Sequence, residues 1–397
     1  MKIPYNKIFK DHNEINNLQT AIKDFRLTHS RFCNQFEKDF SDLLNVRHTL
    51  LVNSGSSANL LAFMALTQDD LGDRRIKKDD EIITTACCFP TTLAPIVQFG
   101  AVPVFVDITV PEYNIDVTQL ENALSDKTKA VMIAHTLGNP FNIKAVKEFC
   151  NNNNLWLIED SCDAFLSKYT LDEKTSYAGS FGDISTFSFY PAHHITGGEA
   201  GAVCTNNELL KDIMLSLRDW GRDCKCSSGI DNVCGHRLDN KMNYDHKYTY
   251  SRFGYNLKAT EFQAAILVAQ LNKVKRIRRN RINNWNYFKH YLSNTDKYIL
   301  PKATDNSDPC WFGFVLTSLS KSNIDIQKQL EGYGIQTRPI FAGNILRQPC
   351  FKNVKHRVIG KLLNTDMITD KSFWFGVHPL LTLEEKQYII NTLKSLS

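Results

Sequence analysis

The chain has 397 residues, two to three times the usual size of one domain, so a large core and a second domain are expected. Apolar residues make up 43% and charged residues 22%, which excludes a mainly disordered or fibrous chain. The 47 Lys and Arg exceed the 42 Asp and Glu without forming a long basic block, so nucleic-acid binding has no compositional support.

The opening MKIPYNKIFKDHNE has no apolar signal-peptide core, and no apolar run reaches the ~18 residues of a membrane span. No membrane association and a cytoplasmic location are therefore expected. In such a compartment the 11 cysteines stay reduced, and metal or redox chemistry competes with disulfides as their explanation. Cys33, Cys87, Cys88, Cys150, Cys204, Cys310 and Cys350 stand singly or among apolar residues and read as small core hydrophobes.

After Ser30, a plausible N-cap, Phe32, Phe36, Phe40 and Leu44 recur every fourth residue, the pattern of a helix with one buried stripe. Short apolar runs at 49–52, 81–84, 102–107, 130–134, 155–159, 184–189 and 201–204 read as seven buried strands. Helical stretches at 57–66, 91–99, 117–124 and 143–152 lie between them and fit the crossovers of a mostly parallel sheet, with a further helix at 209–220. A long helix is expected over 258–291, its basic run 273–281 forming a solvated face. The fold expected is α/β, with a large cofactor-binding domain over 1–292, a cysteine-rich insert at 222–246, and a small α+β domain over 293–397.

Three segments carry chemistry. NSGSSANLLA, Asn53 to Ala62, follows a strand and opens a helix, so Gly55, Ser56 and the neighbouring amides can surround an anion. LWLIEDSCD ends a strand with Asp160, Cys162 and Asp163 at the carboxyl edge of the sheet, where an Asp can hold a heterocyclic nitrogen protonated or merely cap a helix. RDWGRDCKCSSGIDNVCG places Cys224, Cys226 and Cys234 in a C-x-C-x7-C spacing, suited to an iron–sulfur cluster or, with His236 as a substitute ligand, to zinc.

The run STFSFYPAHHITGGEAGAV, Ser185 to Val203, resembles the pyridoxal-phosphate signature of the DegT/DnrJ/EryC1/StrS sugar aminotransferases, a fold type I family. FPTT (89–92), HTLGNP (135–140), GYNLKATEFQAA (254–265), GNILRQP (343–349) and FWFGVHPLLT (373–382) extend the resemblance over nearly the whole chain. It implies that Gly55, Ser56 and Ser188 hold the cofactor phosphate, that Asp160 pairs with the pyridinium nitrogen, that Asp163 lies near the ring hydroxyl and that Phe89 stacks on the ring. Asn256 would reach the phosphate in a neighbouring subunit, which implies a homodimer. The family reads T-x-G-E-G-G where this chain has Thr196, Gly197, Gly198, Glu199, Ala200 and Gly201.

The family's cofactor-bonding lysine is replaced by His193, and an imidazole cannot form a Schiff base. That replacement resembles the nucleotide-sugar 3-dehydrases of the family, which use histidine as base; His194 has no assigned part. The cysteine spacing resembles the CDP-linked iron–sulfur branch rather than the GDP-linked one, and implies a [2Fe-2S] cluster on Cys162, Cys224, Cys226 and Cys234. The implied activity is dehydration and deoxygenation at C3 of a nucleotide-linked 4-keto-6-deoxyhexose. It would use pyridoxamine phosphate (PMP) or pyridoxal phosphate (PLP), with electrons from a separate NADH-dependent flavin iron–sulfur reductase. The product class is the 3,6-dideoxyhexoses of lipopolysaccharide O-antigen. A self-contained 3-dehydratase, an aminotransferase with a zinc site and a non-catalytic scaffold are the alternatives. Phe341, Asn344 and Gln348 are candidate substrate contacts.

Overall fold

The computed structural model describes residues 1–226, 230–233, 235, 237–238 and 243–396. Two helices, α1 (His12–Asp24) and α2 (Arg31–Leu44), precede an alternation of strands and helices: β1 (His48–Val52), α3 (Gly55–Ala65), β2 (Glu81–Thr85), α4 (Pro90–Phe99), β3 (Val102–Val106), α5 (Leu120–Ala123), β4 (Thr128–Ala134), α6 (Ile143–Asn152) and β5 (Trp156–Asp160). A hairpin of β6 (Lys168–Leu171) and β7 (Lys174–Tyr177) leads to β8 (Ile184–Ser188), β9 (Gly201–Thr205), α7 (Glu208–Arg218), α8 (Glu261–Leu271) and α9 (Val274–Leu292). The rest holds β10 (Tyr298–Ile299), β11 (Ser307–Asp308), β12 (Gly313–Ser318), α10 (Asn323–Gly332), β13 (Thr337–Arg338), β14 (Arg357–Val358), α11 (Leu363–Lys371), β15 (Ser372–Gly376) and α12 (Leu383–Ser395).

The large sheet runs β1-β9-β8-β5-β4-β2-β3-β14, parallel throughout except that β9 runs against both of its neighbours. Its central strands are buried on both faces, which is why their sequences are unbroken apolar runs rather than alternations. Eight strands stand where seven were expected, because the two residues of β14 return from the C-terminal part to pair with Val104 and Phe105. A separate antiparallel sheet, β10-β12-β15-β13, packs with α9 and α12 around Phe288, Phe314, Phe373 and Phe375. No helix is long and apolar enough to cross a membrane, among the described residues.

The helix α2 buries its expected stripe: Phe36 and Phe40 are wholly enclosed and meet Phe165, Phe187 and Phe189 with ring centroids 5.1–5.5 Å apart. Such pairs add about 0.5–1.5 kcal/mol each beyond their buried area. Ser30 stands at the N-cap, but its hydroxyl makes no cap bond. The Glu261 carboxylate from α8 instead accepts the N–H groups of Ser30, Phe32 and Cys33 at 2.7, 2.8 and 3.0 Å.

Two expectations are corrected in this region. The long helix is broken at Asn272 and Lys273 into α8 and α9. Its basic run is only partly solvated, since Lys273 is buried against Glu14 at 2.6 Å and Arg281 is wholly enclosed. Of the seven cysteines read as core, six are buried, whereas Cys350 is exposed in a short 3₁₀ turn.

Candidate active site

The carboxyl ends of β4, β5 and β8 and the N-terminus of α3 open into one cavity of about 450 Å³. Period-two alternation along β5 sends its last two carboxylates to opposite faces. Glu159 points into the core, where His135 meets it at 3.0 Å and the amides of Gly179, Phe181 and Gly182 donate to it. Burial alone would raise its pKa, but these partners hold it below the usual carboxylate range. Asp160 points into the cavity: its Oδ2 accepts from Asn59 Nδ2 at 2.9 Å and Thr92 Oγ1 at 2.7 Å, and its Oδ1 accepts from the Cys162 amide at 3.2 Å. A carboxylate so held keeps a fixed direction and retains lone pairs for a cation.

The anion cradle lies on one side of this carboxylate. Ser54 caps α3 by accepting from Ser57 N at 3.0 Å, which leaves the Gly55 and Ser56 amides among the unpaired first-turn donors. Ser188, at the end of β8, presses against that turn so closely that a Cβ on Gly55 would lie 2.4 Å from its Cβ. Gly201 on β9 serves the same approach, since a Cβ there would meet Ser54 O at 2.3 Å. At the departure from the family pattern, Ala200 is buried in the core beside Phe187 and Phe189, and Gly201 is retained. Phe89, half exposed at the start of α4, also borders the cavity.

His193 and Asp163 form the other side. His193 Nδ1 lies 3.4 Å from Asp163 Oδ1, longer than a charge-assisted hydrogen bond. Burial pushes the Asp163 carboxyl up to about 8, helped by the Asp160 charge and opposed by Arg281. Burial, with the Arg281 charge behind it, lowers the His193 imidazole to about 3. At neutral pH the histidine is therefore an uncharged ring, the form that can accept a proton. The ring is tilted over Phe312 with centroids 5.2 Å apart. His194 turns away and contacts the Cys310 carbonyl at 2.7 Å.

Gly55, Ser56, Phe89, Asp160, Cys162, Asp163, Ser188 and His193 thus share one cavity. Asn256 does not: it is exposed, bridged to Asp219 at the end of α7. Phe341 lines the cavity, whereas Asn344 hydrogen-bonds Asp366 and the local backbone and Gln348 the Ala342 carbonyl. Asn59, Thr92, Arg281, Arg338, Tyr5 and Trp374 were not foreseen. Asn59, Thr92, Arg281 and Trp374 sit inside segments already singled out, whereas Tyr5 and Arg338 reach the site only through tertiary packing.

Cys162 borders the cavity, while Cys224 and Cys226 interact with each other on the segment after α7. Cys234 and His236 lie outside the described residues. Among the described residues no three His, Cys, Asp or Glu side chains stand together as a metal site.

The sequence pattern of the DegT/DnrJ/EryC1/StrS aminotransferase family matches residues 9–394. This chain belongs to that family. This family member is 49% identical over 387 residues to the lipopolysaccharide biosynthesis protein RfbH of Salmonella typhimurium, a match covering 95% of this chain and 88% of that protein. It is 43% identical to the dTDP-4-dehydro-2,6-dideoxy-D-glucose 3-dehydratase of Saccharopolyspora spinosa, covering 95% and 82%. Among solved structures, E. coli GDP-4-keto-6-deoxy-D-mannose-3-dehydratase with bound hydrated PLP superposes with a TM-score of 0.88, at 28% identity and over 99% of both chains.

Proposed function

We propose that the chain is a PLP- or PMP-dependent 3-dehydratase of a nucleotide-linked 4-keto-6-deoxyhexose, with His193 as its base. The carrying observation is the neutral His193 imidazole facing Asp163 in the cavity that also holds the Gly55–Ser188 cradle and the anchored Asp160. The residues fit the cofactor: the cradle offers free amides to a phosphate, Phe89 offers an aromatic plate to a ring, and Asp160 offers a carboxylate to a protonated nitrogen. When bound, the cofactor supplies an amine for the C4 ketone and a pyridinium ring that takes up negative charge. Asp160 keeps the ring-nitrogen proton in place by opposite charge. With the cofactor held there, His193 would be the group that moves a proton at its aminomethyl carbon and, as imidazolium, would give a proton to the C3 hydroxyl as that group leaves as water.

Changing His193→Asn should abolish dehydration, followed as loss of the keto sugar under single-turnover conditions, while cofactor absorbance is retained. Turnover kept at the wild-type rate would remove the histidine from this role. CDP-, dTDP- and GDP-linked substrates belong side by side in that assay. Relatives named for dTDP- and GDP-sugars are at hand, and the CDP reading stands on the cysteine pattern.

That pattern also favours a reductive ending, with a [2Fe-2S] cluster on Cys162, Cys224, Cys226 and Cys234 and an NADH-dependent flavin iron–sulfur reductase as partner. The specific support is the Cys162 thiol, which borders the cavity and makes a side-chain contact with Asp160. Among the described residues Cys162 does not join the Cys224–Cys226 pair in a group that could hold a metal, so no step above passes through a cluster. Protein purified anaerobically should contain about two iron atoms per chain; zinc without iron would reject the cluster. Exposed Asn256 suits a homodimer in which it serves the neighbouring phosphate, and sedimentation would check that state.

A further inference from the structure

The cavity has two unlike ends. The inner end carries the cradle, Asp160 and His193; the outer wall comes from the N-terminal arm and the four-stranded sheet, as Tyr5, Arg338 and Trp374, with Phe341 from the loop after β13. The arm is fixed to the chain before β13, with Ile3 N donating to Gly334 O at 2.8 Å and Gln336 N to Ile3 O at 2.9 Å. Tyr5 stands edge-on to Trp374 at 5.8 Å, and Trp374 Nε1 donates to Pro339 O at 2.9 Å. On this rigid plate lies the Arg338 guanidinium, its Cζ 4.3 Å from the Tyr5 ring centroid.

Little else engages that guanidinium. Its Nη1 donates to Thr337 O at 2.7 Å, and its nearest carboxylate, Glu331, is 3.9 Å away, beyond hydrogen-bond range. Among the described residues the remaining donors of the fork meet no protein acceptor, and 44% of the side chain is exposed at the cavity mouth. The other lining groups with ionisable character are the Asp160, Asp163 and Glu199 carboxyls, the Cys162 thiol, the Tyr5 and Tyr190 phenols and the neutral His193, which leaves Arg338 as the permanent cation of the described lining. A planar fork held flat, with donors pointing free, matches phosphoryl oxygens in two-point contact.

We infer that Arg338, laid on Tyr5, seats the diphosphate of the substrate, so that the hexose extends inward to His193. The inference deepens the dehydratase reading and rests on its claim that the substrate is a nucleotide-linked sugar.

The test is calorimetric titration of the cofactor-loaded protein with CDP, dTDP and GDP, each alone. Wild type should bind at least one of the three. Arg338→Ala should weaken that Kd roughly tenfold or more, the loss expected when a charged two-point contact goes. Arg338→Lys should recover only part of it, and cofactor absorbance should not change. Arg338→Gln keeps the stem packed on Tyr5 and gives the same comparison if the alanine variant unfolds. Equal affinity in wild type and variant, or no diphosphate bound by wild type, would overturn the inference. Neither result touches the His193→Asn assay, so the dehydratase reading stands or falls separately.

Discussion

Asp163 and His193 face each other at 3.4 Å inside a buried wall, and their titrations are pushed in opposite directions, the carboxyl up to about 8 and the imidazole down to about 3. Both are uncharged at neutral pH, so the pair stores no ion-pair energy to be broken when the imidazole takes a proton. An imidazolium formed there has the Asp163 carboxyl 3.4 Å from its Nδ1.

This arrangement predicts a pH signature in the protein free of cofactor. A raised carboxyl contributes stability that is complete below its unfolded value near 3.8 and is lost as pH rises through about 8. A depressed histidine contributes stability that is complete above 6.5 and is lost as pH falls toward 3. Changing Asp163→Asn removes the first slope alone. The melting temperature of the variant should gain on wild type steadily from pH 5 to 8, by a few degrees in all, and the gain should level off above that. A difference independent of pH would show that Asp163 is ionised throughout.

The Thr92 hydroxyl is predicted to matter through Asp160. It supplies the shortest of the three hydrogen bonds to that carboxylate, and a bond to a charged group is worth about 1.5–3 kcal/mol. Thr92→Val should lower cofactor affinity roughly tenfold in an absorbance titration, and Thr92→Ser, which keeps the hydroxyl, should restore it. If valine and serine behave alike, the carboxylate is held well enough by Asn59 and the Cys162 amide.

The sequence made the core of the fold and the inner end of the site legible for the same reason. Strands such as Val102–Val106 and Trp156–Asp160 are local apolar runs, and the cradle, Asp160 and His193 each belong to a short segment with its own chemistry. What escaped was set by partners distant in the chain. Helix α1 buries only Glu14 and Ala21 and leaves Ile15 and Ile22 exposed, so its apolar spacing does not mark the face it packs; Glu14 is held by Gln270 and Lys273 from the far end of α8 and beyond. The two-residue strand β14 is too short for any periodicity. Arg281 looked like one charge in a basic run, yet its guanidinium donates to the Trp311 and Phe312 carbonyls directly behind the histidines.

Glu261 offers a test of that long-range logic in a place remote from the chemistry. Its carboxylate is the acceptor for three orphan amides at the start of α2, the helix that carries the Phe36–Phe40 core. Glu261→Ala leaves those donors buried and unpaired and should cost on the order of 3 kcal/mol in urea unfolding, where Glu261→Gln, which keeps one acceptor oxygen, should cost distinctly less. Equal losses would mean that side-chain volume rather than the amide bonds supports the junction.

The last prediction concerns the contact that shapes the cradle. Gly55 and Ser188 are so close that an added methyl at Gly55 would stand 2.4 Å from the serine Cβ and 2.8 Å from its hydroxyl oxygen. Gly55→Ala should therefore push α3 away from β8, costing about 1–3 kcal/mol of stability and widening the cradle enough to lose the cofactor. Ser188→Gly removes the atoms that clash, at the expense of one hydroxyl in the cradle. In the four-protein cycle the alanine should be markedly less damaging when residue 188 is glycine, a coupling on the order of 1 kcal/mol or more measured by thermal unfolding. Additive effects would place the cost of the alanine elsewhere, in the backbone of the turn itself, and the two residues would then border the cavity without shaping each other.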